Sequence, residues 1–140
     1  MLNKNQDIST VLAYAHELMS IAEKRIINIA SAHVPGLNYM AIYMRGRTGR
    51  AAIQGVPVVV IASVETQEQG QGQFTQLLTA MKAECEKQQW ILKLENVLTD
   101  RFRGYLEREG FVFKSNEISA SGYWMPDGLG TTLETGSLPG

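Results

Sequence analysis

Two glycines, Gly70 and Gly72, lie between a run of β-branched residues and the start of a helical pattern, within the string Gln67-Glu68-Gln69-Gly70-Gln71-Gly72. Glycine adopts backbone conformations closed to other residues and lets a ligand approach the main chain. The first turn of a following helix adds N–H groups without intrahelical partners and the positive end of the helix dipole. Together these suit a phosphate. No Lys-Ser/Thr pair follows the second glycine, and the dinucleotide fingerprint with its distant acidic residue is missing as well. An anion cradle at this point has to be built from backbone.

The elements that would position this loop are strong in the sequence. Val58 to Val64 is a continuous apolar run of strand length, which predicts a strand buried on both faces. After the polar segment Glu65 to Gln71, the residues Phe74, Leu77, Leu78, Met81 and Cys85 recur at helical spacing. Trp90 to Leu94 predicts a second strand, parallel to the first through a right-handed helical crossover. Strands that splay at their ends leave a cleft between them. From about Thr99 a further helix is expected, with Phe102, Tyr105 and Leu106 buried, Arg101, Arg103, Glu107 and Arg108 facing water, and Gly110 as its stop. Phe111 to Phe113 and Gly122 to Met125 read as a final antiparallel pair.

From Val58 to Met125 this order of strand, Gln-x-x-Gly-x-Gly loop, helix, strand and helix ending in Glu107-Arg108-Glu109-Gly110-Phe111 resembles the GNAT family of N-acyltransferases. The resemblance implies an α/β (α+β) fold, with a mixed, mostly antiparallel central sheet flanked by helices and a long N-terminal helix. It implies acetyl-CoA, or another acyl-CoA, as cosubstrate without a metal, and an amine of a small molecule or protein as acceptor. The family signature includes Gln67. The pyrophosphate would rest on the backbone amides of Gln69, Gly70, Gln71, Gly72, Gln73 and Phe74, and the pantetheine arm would follow the strand edge at Ala62, Ser63 and Val64. A backbone N–H there would polarise the thioester carbonyl.

For proton transfer the resemblance offers Tyr105 as acid and Glu65 as base through water. Many family members place a tyrosine four residues before the glycine of Gly-Phe. That position is Leu106, and Tyr105 stands about 100° away around the helix. The asparagine found near the start of this helix in many members is replaced by Thr99, with Asn96 nearby. Tyr39, Tyr43 and Tyr123 lie on strands that could flank the acceptor. The family also begins with a strand, whereas residues 1 to 6 are short and polar. These departures motivate an alternative: a catalytically inactive GNAT-like domain that binds or inhibits a protein or nucleic acid.

The 140 residues, 44% hydrophobic and 19% charged, suit one globular domain, read as residues 1–126 with a flexible tail over 127–140. A net charge of −1 argues against general adhesion to nucleic acid or anionic membrane. The start of the chain lacks the apolar core of a signal peptide and no run has membrane-span length, so a cytoplasmic protein is expected. Asp7 or Ser9 is placed as the cap of a first helix, whose apolar face continues through Ile26 and Ile29 until Pro35-Gly36. Leu37 to Met44 predicts a strand that pairs with Ala51 to Gln54 across an arginine-rich hairpin. Arg45, Arg47 and Arg50 there would either keep an edge strand soluble or clamp a phosphate, including one of nucleic acid. Cys85 is assigned to packing, and His16 and His33 to structural or solvent-facing roles. A homodimer would use an edge formed by Tyr123, Trp124 and Met125.

Overall fold

The computed structural model describes residues 4–66, 72–113 and 120–127. In chain order they form α1 (Lys4–Lys24), β1 (Ile29–His33), β2 (Met40–Arg47), a 3-10 turn (Gly49–Ala51), β3 (Val58–Thr66), α2 (Gln73–Gln88), β4 (Ile91–Val97), α3 (Asp100–Arg108), β5 (Val112–Phe113) and β6 (Ala120–Trp124). The six strands make one sheet in the order β1-β2-β3-β4-β6-β5. β3 and β4 are parallel, and the other neighbours are antiparallel. This is the mixed, mostly antiparallel α+β architecture anticipated above.

The helices gather on one face of the sheet. Val11, Ala15 and Leu18 of α1, Leu77, Leu78 and Met81 of α2, and Leu106 of α3 form one core with Met44, Val59, Ile61, Leu92 and Leu94 of the strands. Gly46 permits the close passage of α1 over β2: a Cβ there would meet Met19 Sδ at 3.0 Å and the Leu18 backbone at 3.1 Å. On the other face Val58, Val60, Ala62, Ile91 and Tyr123 pack with Ile53, Val56 and Met125. The central strand is thus covered from both sides, as its unbroken apolar run requires.

The amino-terminal third departs from the sequence reading. α1 starts at Lys4, so neither Asp7 nor Ser9 caps it. Asp7 is fully buried instead, and its carboxylate accepts the backbone N–H groups of Asn38 at 2.9 Å and Tyr39 at 2.7 Å. The helix ends at Lys24 rather than continuing through Ile29. Asn28 adopts φ +58° and its carboxamide donates to the carbonyls of Ala22 and Arg25, both at 3.1 Å, closing the helix end before β1 begins. Ile26, counted as helical by spacing, and its neighbour Ile27 project from this turn at 91% and 64% exposure.

The arginine hairpin is also corrected. Arg45 and Arg47 belong to β2 itself, which pairs with β1 and β3, while Ile53 only bridges to Val56. Arg50 lies in the 3-10 turn, where its backbone N–H donates to Asn28 Oδ1. Arg103, expected in water, stacks over the Phe113 ring at 4.5 Å. Tyr123 is fully buried and β6 runs between β4 and β5, so Tyr123 to Met125 do not form a sheet edge. His16 Nε2 lies 2.7 Å from Glu84 Oε2 and joins α1 to α2, and the His33 ring packs edge-on against Tyr43. The proposed tail from residue 128 onward lies outside the described residues.

Candidate functional site

The site begins with a break in register. Along the β2–β3 pair Tyr43 faces Ser63, but Met44 faces Ile61, so Ala62 is an extra residue on β3. β4 has its own irregularity at the same level: Leu94 faces Gly122 of β6 while Val97 faces Ala120. Bulges bend strands and increase their twist. β3 and β4 accordingly pair only from Val58/Ile91 to Ile61/Leu94 and then part. Asn96, at φ +60°, reaches across and donates from Nδ2 to the Ala62 carbonyl at 2.8 Å.

The parting strands leave a cleft of about 220 Å³. Ser63, Val64 and Glu65 line one side and Glu95 and Asn96 the other, with Phe102 of α3 and the exposed Leu98 as apolar walls. The bulge also changes which side chains face inward. Val59 and Ile61 point to the helices, and so does Val64, whereas strict alternation would have chosen Ser63. Ser63 and Glu65 are exposed, which corrects the expectation that the whole run to Val64 is buried.

Glu95 is held in a compact charge cluster. Arg45 Nη1 approaches its two carboxylate oxygens at 3.2 and 3.1 Å, and Lys93 Nζ lies 3.1 Å from Oε2. Burial pushes the Glu95 carboxyl up, but Lys93 and Arg45 outweigh it and hold it below the ordinary carboxylate range. Arg45, Val60, Lys93 and Tyr123 stand in one row across the sheet, so the cluster sits on the face away from the helices. Lys93 also lies 5.5 Å from the centre of the Tyr123 ring.

Gly72 caps α2 at φ +75°, a left-handed conformation that glycine adopts without strain, and its carbonyl accepts from Gln76 N at 3.0 Å. Gln73 follows with 2% exposure, and both its amide atoms are buried without a hydrogen-bond partner. Phe74 packs edge-on against Phe102, at 5.4 Å between ring centres, tying the start of α2 to the cleft wall. Gln67, Gln69, Gly70 and Gln71 lie outside the described residues.

The structure therefore brings Ser63, Val64 and Glu65 to one cleft, while Ala62 is buried on the other face and its carbonyl is held by Asn96. Tyr105 goes elsewhere. Its hydroxyl lies 2.9 Å from Thr75 Oγ1, and its ring stacks parallel to Phe102 in the seam between α2 and α3. Leu106 is fully buried, and Thr99 caps α3 by accepting from Phe102 N at 3.1 Å. Glu95 and Phe102 were missed as cleft residues. Arg45 and Glu95 are fifty positions apart, and only the sheet order brings them together. Cys85 is fully buried, and burial pushes its thiol up to about 12, as a packing residue rather than a nucleophile. Among the described residues no cluster of His, Cys, Asp and Glu could hold a metal, and no helix is long and apolar enough to cross a membrane.

No family model and no curated protein matches the sequence. Among solved structures, a mutant of the AtaT toxin bound to the C-terminus of the antitoxin AtaR and acetyl-CoA is similar at 15% identity and a TM-score of 0.49. The match covers 67% of this chain and 62% of that one, so the chain spans less than two thirds of the toxin's length.

Proposed function

We propose that this protein is an N-acyltransferase that uses acyl-CoA, with acetyl-CoA as the simplest cosubstrate. The observation that carries the reading is the cleft between β3 and β4, opened by bulges in both strands and followed directly by the glycine-capped α2. An extended pantetheine arm fits a strand edge that has lost its neighbour. Ser63 and Val64 would hold it beyond Ala62, with Phe102 and Leu98 against its apolar parts. At the start of α2, the N–H groups of the first turn and the unpartnered amide of Gln73 suit the polar end of the molecule.

Acyl-CoA supplies an activated thioester carbonyl. The acceptor nitrogen forms a bond to that carbon as the carbon–sulfur bond breaks, the amine gives up a proton and the thiolate takes one. Glu65, exposed and lining the cleft, would accept the amine's proton through water. The cluster of Arg45 and Lys93 around Glu95 keeps a positive field beside the cleft, where negative charge develops on the carbonyl oxygen.

A second reading, a binding module without catalysis, is favoured by Tyr105, whose hydroxyl is engaged with Thr75 away from the cleft. The thermal midpoint with acetyl-CoA, compared with desulfo-CoA, tests the first reading. Ligand at a hundred times its dissociation constant stabilises by about 2.7 kcal/mol. Gly72→Asp, which meets no atom within 4 Å but strains the φ +75° backbone, is expected to abolish the shift in a protein whose circular dichroism shows it still folded. No shift at saturating ligand overturns the acyl-CoA assignment. A shift without acylated product from any amine favours the binding module.

A further inference from the structure

β1 is an end strand of the sheet, and its outer side pairs with no strand among the described residues. Two bonds to β2 reveal which of its backbone groups face outward. Thr48 N donates to the Asn28 carbonyl at 3.0 Å, and Val34 N donates to the Ile42 carbonyl at 2.9 Å. In an antiparallel pair a residue sends its N–H and C=O to the same side, and the side alternates along the strand. The even-numbered residues from Asn28 to Val34 therefore bond to β2, while Ile29, Ser31 and His33 turn their N–H and C=O groups outward. Arg25 meets this edge from outside, where its Nη1 donates to the Ile29 carbonyl at 3.3 Å. Open edges are ordinarily guarded by lysine, proline or a bulge. β1 reads Ile29-Ala30-Ser31-Ala32-His33 and keeps an unbroken register with β2, so it has none of these guards. Just before it stand Ile26 and Ile27, two of the three large apolar side chains exposed among the described residues.

From this edge we infer that β1 pairs antiparallel with β1 of a second copy of the chain, about a twofold axis at Ser31. A hydrogen-bonded pair needs an outward-facing residue on each strand, and centring on Ser31 uses all three. Ser31 then faces Ser31 of the second copy and Ile29 faces its His33, each facing pair exchanging two backbone bonds once Arg25 releases the Ile29 carbonyl. Ala30 faces Ala32, so only small side chains meet on the side that α1 covers. The same register brings Ile26 and Ile27 beside Gly36 and Pro35 of the second copy, which adds the apolar area that a five-residue strand pair lacks. Residues 26–36 contain no Lys, Arg, Asp or Glu, so the axis sets no like charges against each other. The strand thus complements itself on reversal, the condition for an isologous contact. The pairing joins two sheets into one at the end remote from the cleft between β3 and β4.

Sedimentation equilibrium of the full chain is expected to show a monomer–dimer equilibrium. Ser31→Lys, at an exposed position, sets two ammonium groups against each other across the axis and is expected to raise the dimer dissociation constant about tenfold or more, with an unchanged circular dichroism spectrum. Ser31→Cys tests the register and decides the matter if Ser31→Lys does not fold. Hydrogen-bonded antiparallel partners have Cα atoms about 5.5 Å apart, within reach of a disulfide. Mild oxidation of Ser31→Cys is therefore expected to give a covalent dimer linked at residue 31, whereas Ile27→Cys, exposed but off the axis, stays unlinked under the same conditions. Cys85 is buried and takes no part. A chain that stays monomeric at every concentration overturns the inference and leaves the edge to a different chain. A dimer that Ser31→Lys does not weaken overturns it as well, and so does linking of Ile27→Cys as readily as Ser31→Cys.

Discussion

Asn96 Nδ2 donates to the Ala62 carbonyl at 2.8 Å, beyond the last paired residues of β3 and β4. One side chain thus spans the gap that two bulges create and satisfies a carbonyl that the neighbouring strand no longer reaches. Asn96 also adopts φ +60°, which asparagine tolerates better than most residues. Asn96→Gly, which keeps the backbone and loses the bond, is expected to cost about 1 kcal/mol. Asn96→Ala, which loses the bond and strains the backbone, is expected to cost about 2 kcal/mol or more. Urea midpoints of the three proteins check the order.

Asn28 ends α1 and fastens the following loop at the same time. Its carboxamide donates to Ala22 and Arg25, its Oδ1 accepts from Arg50 N at 3.1 Å, and its own carbonyl accepts from Thr48 N at 3.0 Å. Asn28→Ala is expected to destabilise by about 2–3 kcal/mol, and Asn28→Asp by no less, because the carboxylate keeps the Oδ1 acceptor but sets an anionic oxygen against the Ala22 and Arg25 carbonyls at the helix end. Gly49→Ala should damage the same junction, since its Cβ would meet Asn28 Oδ1 at 2.5 Å. Hydrogen exchange is expected to show the last turn of α1 opening in each variant.

The depressed Glu95 carboxyl fixes the sign of a pH effect. Its folded-state value lies below the unfolded one, so its stabilisation is complete above the ordinary carboxylate range and fades as pH falls through the lowered value. Glu95→Gln leaves Arg45 and Lys93 without their counter-ion and is expected to be the less stable protein at neutral pH. The difference in urea midpoint between the two should shrink on acidification from about pH 5 to about pH 3. A difference that stays constant across that range would count against the cluster.

Cys85 makes a chemical probe of global opening. Fully buried, with its thiol pushed up to about 12, it is expected to resist iodoacetamide at pH 8 in the folded protein and to react readily in urea. Cys85→Ser is expected to lower stability by about 1–3 kcal/mol, because a hydroxyl replaces a sulfur in an apolar core. Under the acyltransferase proposal, activity should survive at temperatures where the variant is folded.

The centre of the chain was legible because local and global signals agree there. Val58 to Ala62 have strand propensity and lie where both faces are covered, and Leu77, Leu78, Met81 and Cys85 repeat at the spacing of the helix they occupy. Gly110, at φ +96°, follows α3 as expected. At the amino end the same rule misled. Ile26 and Ile29 continue the helical spacing of α1, yet the side chain of Asn28 takes the carbonyls the next turn would need. The three arginines looked like a loop because their nearest sequence neighbours are glycines. Arg45 has its partner on a strand two places away, and no pattern within β2 announces it. The bulge at Ala62 was equally silent, since Val58 to Val64 is apolar throughout apart from Ser63, whichever way the side chains point.

That bulge acts as a phase slip in β3. Before Ala62 the odd-numbered positions Val59 and Ile61 face the helices, and after it the even-numbered Val64 does. A substitution scan along β3 should therefore show tolerance alternating with a period of two and then changing parity at Ala62. Removing this single residue would restore strict alternation with Val64 still inward and Ser63 and Glu65 still outward, and would take away the bend that parts β3 from β4. The opening of the cleft thus depends on how many residues β3 has as much as on which residues they are.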